Sequence, residues 1–213
     1  MRTETLIENE VHEEKMITED LPEMPLRPSE QIKQIEYHFR KIMLALGLDL
    51  TNDSLKNTPL RVAKMYVNET FSGLNIINEP AITLFENKYG NKEIILEKNI
   101  PLYSYCEHHF VPIIGKAHIA YIAKKKIAGL SKLNRVAQYF SKRPQVQERL
   151  TIDIATFLKE KLQTEDVAVI IEAEHLCVAS RGVRDVGSST TTGSYHGVFE
   201  SERRNELIQL LHL

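Results

Sequence analysis

The chain has 213 residues, 42% of them hydrophobic and 26% charged, with a net charge of −2 at pH 7. That is enough chain to bury a proper core, in the proportions of an ordinary soluble globular protein. No apolar run reaches the length that spans a bilayer and the N-terminus shows no signal-peptide hydrophobic stretch. With only two cysteines besides, a reducing cytoplasm is the expected compartment. The charge is uneven: residues 1–25 hold eight acids and two bases, −6, which leaves +4 on residues 26–213. A mildly basic body suits a small anionic substrate, whereas a long nucleic acid would ask for a far stronger basic field.

Residues 1–27 are acidic, poor in aromatics and close on Pro22 and Pro25, the composition of a mobile arm. A helix is expected from Ser29, with Ile32, Ile35, Phe39, Ile42, Met43 and Leu46 recurring every three or four residues and Gly47 ending it. A second helix follows Thr58-Pro59, proline sitting where its missing N–H costs nothing. Val62, Ala63, Tyr66, Val67, Thr70 and Phe71 form its stripe, and Ser72-Gly73 closes it. Arg61 and Lys64 share one of its faces and read, by themselves, as solvated charges. These two helices make an N-terminal helical region over residues 28–75; residues 76–213 form the main domain.

In that domain Ile82–Phe85 and Glu93–Ile100 are short extended segments, parted by the turn signal Tyr89-Gly90-Asn91. A long strand runs from Val111 to Ile122 with its odd-numbered positions apolar and Lys116 and His118 on the opposite face. Two helices come next, one lined by Leu130, Leu133, Val136, Ala137 and Phe140, the other by Val146, Leu150, Ile154, Phe157, Leu158 and Leu162. Arg143-Pro144 separates them. A strand over Val167–Ser180, an extended Ser188–Phe199 and a short helix Arg203–Leu211 complete the chain. Strand, strand, helix, helix, strand, strand is an antiparallel α+β layout.

Two pieces carry the chemistry. In Tyr105-Cys106-Glu107-His108-His109, a cysteine and a histidine stand three apart, a spacing that lets one tight turn aim both at a single point. In His175-Leu176-Cys177 the alternation of a strand would turn His175 and Cys177 to the same side. A disulfide, or two buried thiols, would account for Cys106 and Cys177 alone. Three histidines clustered with both cysteines point instead to a Cys₂His zinc site at Cys106, His109 and Cys177 with an open fourth position, the catalytic kind. His108 and His175 are then left beside the metal to move protons.

Other groups suit the same site. Ser131, Lys132 and Arg135 lie at the start of a helix, where free N–H groups and the positive dipole end favour an anion. Arg181 shares the odd parity of Cys177 and would face the same way. Gln147 and Glu148 open the following helix, and a carboxylate there accepts two hydrogen bonds from an amidine-like edge such as guanine's.

Four segments, Cys-Glu-His-His-Phe, Gly-Leu-Ser-Lys-Leu-Asn-Arg, Arg-Pro-Gln-Val-Gln-Glu-Arg-Leu-Thr and His-Leu-Cys, resemble the signature segments of GTP cyclohydrolase I, in the right order. The likeness runs from Thr58 to Phe199 and leaves the N-terminal arm outside it; Ala179-Ser180 and Lys124–Lys126 depart from relatives without touching a motif position. The resemblance implies the tunnelling fold, in which antiparallel sheets of several subunits close a barrel, and a homodecamer of two pentamers with active sites at subunit boundaries. It implies zinc on Cys106, His109 and Cys177, catalysis by His108 and His175, Ser131 near the ribose and guanine binding by Gln147 and Glu148. Lys132, Arg135 and Arg181 would clamp the triphosphate, and Arg61 and Lys64 would reach it from the neighbouring subunit, which revises their reading as solvated charges. The activity implied is zinc-dependent opening of the guanine imidazole ring of GTP with release of formate, then rearrangement to 7,8-dihydroneopterin triphosphate. That is the first step of tetrahydrofolate and pteridine synthesis. The rival is a non-catalytic GTP-binding zinc protein of the same fold.

Overall fold

In the computed structural model, which describes residues 26–213, a five-stranded sheet organises the chain. Its long members are β2 (Ile94–Cys106), β3 (Pro112–Ile122) and β6 (Val167–His175); β7 (Thr190–Tyr195) and the two-residue β5 (Pro144–Gln145) form its edges. The order is β5-β2-β3-β6-β7, antiparallel throughout except where β5 runs parallel to β2. A separate ribbon pairs β1 (Leu84–Glu86) with β4 (Lys126–Ala128). The expected acidic arm lies, but for its last two residues, outside the described residues.

The two-residue period of β3 decides which face is covered. Ile113, Ala117, Ile119 and Tyr121 are buried under α3 (Leu130–Ser141) and α4 (Gln147–Leu162), as the alternation predicts. Among the described residues the opposite face is covered at one end, where Ala120, Ile122, Ala168 and Ile170 meet Phe199 in a short 3-10 turn and Leu207 of α6 (Arg204–Leu211). Beyond that patch Ile114 and Lys116 are exposed. His118 is half-buried in the strand and accepts a 3.4 Å hydrogen bond from the N–H of Asn99, a left-handed residue at the bulge of β2. Gly115 is required by the close approach of β3 to β6: a Cβ there would stand 2.1 Å from the Glu172 carbonyl oxygen.

Three expectations change. The expected strand over Val167–Ser180 stops at His175, and residues Leu176–Ala179 form a helical turn, α5. The last rung of the β3–β6 ladder is Ile113 opposite His175; Pro112, which has no N–H, begins β3, so no partner strand remains for the residues that follow. The Arg143-Pro144 interruption is no plain loop but holds β5, paired through Tyr105–Pro144 and Cys106–Gln145. β2 also runs on through Ile100 to Cys106, so the cysteine is the last residue of a strand.

The helical region consists of α1 (Pro28–Ala45) packed on α2 (Thr58–Met65), which continues through one π-helical turn, Tyr66–Thr70. Of the stripe expected on α1, Met43 is buried and Ile32, Ile35 and Phe39 half-buried, while Ile42 and Leu46 are 52% and 71% exposed. One neighbouring helix cannot cover an apolar arc that wide.

Candidate active site

The C-terminal end of β2 and the turn after it deliver the first ligands. The carbonyl of Cys106 accepts from the N–H groups of His109 (3.3 Å) and Phe110 (2.8 Å), and the N–H of Cys106 donates to Val111 across the turn at 2.9 Å. Phe110 adopts a left-handed backbone (φ 53°) to close it. The turn is then held from outside. The N–H of Glu107 donates to the Gln145 carbonyl on β5 at 3.1 Å, and the Glu107 carboxylate pairs with the guanidinium of Arg149 on α4. Arg149 also donates to the side chain of Gln145 (3.0 Å) and to the Pro144 carbonyl (3.2 Å). On the other flank Phe110 joins Tyr66, Phe71 and Tyr105 in an aromatic cluster with ring centroids 5.0–6.2 Å apart, which ties the helical region to the site.

Cys177 comes from the α5 turn, so the alternation that would have placed it, and Arg181 after it, beside His175 on one strand face does not operate. The helical turn brings Cys177 to Cys106 all the same. One ligand atom from each of Cys106, His109 and Cys177 lies within 4.8 Å of the others, and the Cys106 sulfur is 4.0 Å from Nδ1 of His109. Tetrahedral zinc with ordinary Zn–S and Zn–N bonds has ligand–ligand edges of about 3.6–3.8 Å, so a contraction of up to about 1 Å would close the set. Both thiols are free, and two sulfurs with one imidazole are the donors a borderline-soft cation takes. Burial, with the nearby Cys106 sulfur, pushes the Cys177 thiol up, and Arg181 opposes that. His108 sets Nδ1 3.6 Å from the Cys106 sulfur with its ring exposed. Arg181 donates from its guanidinium to Nε2 of His109 at 2.9 Å.

His175, the last residue of β6 and two residues before Cys177, sits half-buried with Nε2 2.8 Å from Oε1 of Gln147. Burial lowers its pKa, and the Glu148 carboxylate acts against that shift. Gln147 and Glu148 thus part company. Glu148 is exposed, whereas the side chain of Gln147 is 1% exposed and wholly hydrogen-bonded inside the chain. The Gln147 side-chain amide is thus taken up by partners within the chain.

The remaining expected residues lie on other elements. Ser131, Lys132 and Arg135 lie on the first turns of α3, and Arg135 opens into a different cavity of about 470 Å³ with Asn68, Gln138 and Lys142. Arg61 and Lys64 are exposed on α2. Gln145, Arg149, Thr151 and Thr192, which brace the turn and the Gln147 amide, are not marked as site residues by type or spacing. The first three lie inside or at the end of the Arg-Pro-Gln-Val-Gln-Glu-Arg-Leu-Thr segment, and that was their only signal; Thr192 had none.

Fold and site together define an α+β protein whose three-residue Cys/His group suits a metal ion beside two histidines. Comparison with known proteins narrows this: the family model for GTP cyclohydrolase I matches residues 35–212. A GTP cyclohydrolase 1 of Flavobacterium johnsoniae is 50% identical over 185 residues, 86% of this chain and 83% of the relative. Those of Tolumonas auensis and Aeromonas salmonicida are 52% and 54% identical, covering 93% and 83% of this chain and 92% and 81% of theirs. A solved archaeosine synthase QueF-Like matches 49% of this chain and 93% of its own at 13% identity, with a TM-score of 0.41, too low to add to the fold assignment. The chain belongs to the GTP cyclohydrolase I family.

Proposed function

We propose that the chain is a GTP cyclohydrolase I, which opens the imidazole ring of GTP by hydrolysis, releases formate and closes the product to 7,8-dihydroneopterin triphosphate. The observation that carries the reading is the meeting of Cys106, His109 and Cys177 within 4.8 Å, with His108 against the Cys106 sulfur and His175 two residues before Cys177, in a chain whose family match spans most of its length. Zinc is the metal the donor set suits best, held by those two sulfurs and one imidazole. Bound there it would supply a water acidic enough to be nucleophilic near neutral pH. Among described residues no helix is long and apolar enough to cross a membrane, and a cytoplasmic enzyme acting on a free nucleotide, without nucleic acid, fits the chain.

This chain's own groups have distinct tasks. His175 gives a proton to N7 of the base as C8 is attacked, which turns a poor leaving nitrogen into an acceptable one. His108 and Ser131 serve the opening and rearrangement of the ribose. Glu148 accepts from the ring N–H and the exocyclic amine of guanine, and Lys132, Arg135 and Arg181 hold the triphosphate. Arg61 and Lys64 lie on α2, and we assign them to the triphosphate of a neighbouring subunit in a decamer of two pentamers, the tunnelling fold closing its barrel. In this scheme residues 1–27 are an appended arm, 28–75 the helical region and 76–213 the catalytic domain.

The test is incubation of the purified protein with GTP while formate and a fluorescent oxidised pterin are measured. Formate and pterin in equal amounts are expected. Tight GTP binding without formate would return the chain to the non-catalytic alternative.

A further inference from the structure

Gln147 sits at the first position of α4, and its Nε2 lies 3.0 Å from the carbonyl oxygen of Ile171 and 2.9 Å from that of Thr190. Carbonyl oxygens only accept, so the group facing them is the NH₂. Turning the amide over would set oxygen against oxygen and leave buried acceptors unpaired, at a cost of about 1–3 kcal/mol each. The third neighbour, Thr192 Oγ1 at 3.1 Å, is also an acceptor here. Thr151 Oγ1 donates to the Gln147 carbonyl at 2.7 Å, so of the two threonine hydroxyls, 2.7 Å apart, Thr192 is the donor. Its lone pairs are thereby left for Gln147. The orientation of the amide is settled on every side, and it leaves Oε1 pointing at Nε2 of His175, 2.8 Å away. An amide oxygen accepts only, so that nitrogen carries the proton.

We infer that Gln147 is a positioning residue that fixes the ring of His175 as its Nε2–H tautomer and leaves Nδ1 free to take a proton from the water that attacks C8 and hand it to N7 of the base. The inference rests on the reading of His175 as the proton-transfer group, and it replaces a substrate contact by Gln147 with a task performed through the histidine. The anchor is rigid because it joins α4 to β6 and β7 at once, and the ring cannot turn over without breaking a buried hydrogen bond. An amide performs this without adding charge next to the metal group, which a carboxylate would do.

The experiment is a long-range proton–nitrogen correlation spectrum of metal-loaded, ¹⁵N-histidine-labelled protein, with the His175 signals identified by their loss in His175→Asn. The expected pattern has a protonated Nε2 and a bare Nδ1; a protonated Nδ1 with a bare Nε2 overturns the inference. Gln147→Met keeps length and volume but removes the acceptor. It should lower kcat with GTP by about 10- to 100-fold, as loss of an orienting partner does, with KM and metal content little changed. It should also turn the His175 signals into a mixture of both tautomers. Unchanged kcat and an unchanged pattern, or a raised KM at full kcat, would refute the positioning role. Should Gln147→Met fail to fold, the spectrum of the unaltered protein decides alone. A protonated Nε2 in a protein that releases no formate from GTP would remove the cyclohydrolase reading while the tautomer assignment stood.

Discussion

Strand β6 has a polar cluster at each end, and the two are built differently. Asp166, just before the strand, is 5% exposed; Oδ1 accepts from the N–H of Val198 at 3.1 Å and Oδ2 pairs with Lys124 at 2.5 Å. Thr164 beside it donates to the Ile122 carbonyl and accepts from the N–H of Asp166. Nearly every bond there ends on backbone, and the cluster knots the β3–β4 turn to the segment before α6. At the other end Gln147 is buried as deeply, yet beside its bonds to the sheet one, from Oε1, ends on the ring of His175, half-exposed, next to the open carboxylate of Glu148. Depth of burial does not distinguish a structural polar cluster from a functional one. The distinction lies in whether the chain of hydrogen bonds closes on itself or ends on a group that faces outward.

If this contrast is right, changes at the His175 end remove activity and spare the fold, and changes at the Asp166 end do the reverse. The largest effect is expected for Cys106→Ala and Cys177→Ala, each of which should lose nearly all bound metal and formate release; full metal by elemental analysis in both would dissolve the proposed ligand set. Next comes Glu148. A purine lacking the exocyclic amine leaves an acceptor unpaired, about 1–3 kcal/mol, so inosine triphosphate should be used roughly 10- to 100-fold less well than GTP. Glu148→Ala should narrow that ratio, and equal use of both nucleotides by the unaltered protein would show that Glu148 selects nothing.

Smaller effects belong to the Asp166 end. Gly197 has a left-handed backbone (φ 58°), and a Cβ there would lie 2.3 Å from Oδ1 of Asp166. Gly197→Ala should therefore cost about 1–2 kcal/mol for the backbone alone, read as a lower unfolding midpoint in urea, with kcat per folded molecule unchanged. The smallest effect is that of Asp166→Asn. Burial pushes the Asp166 carboxyl up, but the bonds from Lys124 and the Val198 N–H outweigh it and hold the pKa below the ordinary value. A depressed carboxyl stabilises the fold above its unfolded pKa, about 3.9, and that contribution is lost as pH falls through the folded value. Asp166→Asn should thus be less stable than the parent at neutral pH, by no more than about 1 kcal/mol because Lys124 is largely in water, and the gap should close in acid. A gap that widened in acid would assign the wrong sign to the pair.

Much of this molecule is written in local pattern. The alternation of β3, the apolar faces of α3 and α4, and the tight turn that aims Cys106 and His109 together all depend on residues a few positions apart, and periodicity reports such geometry directly. The family motifs added the identity of the chemistry. What the sequence could not decide were the outcomes set by distant partners. β6 ends at His175 because β3 begins at Pro112, and β5 exists because β2 lies alongside it. Ile42 and Leu46 stay exposed because, among the described residues, α2 and the π-helical turn that continues it pack on α1 without covering them. Gln147 shows the limit best. Its residue type and its place at a helix start suited a substrate contact, but Ile171, Thr190 and Thr192 lie 24, 43 and 45 residues further along the chain. Only the packing of α4 against β6 and β7 brings those acceptors to one amide. A hydrogen bond takes its direction from where its partner stands, and that is decided by tertiary structure.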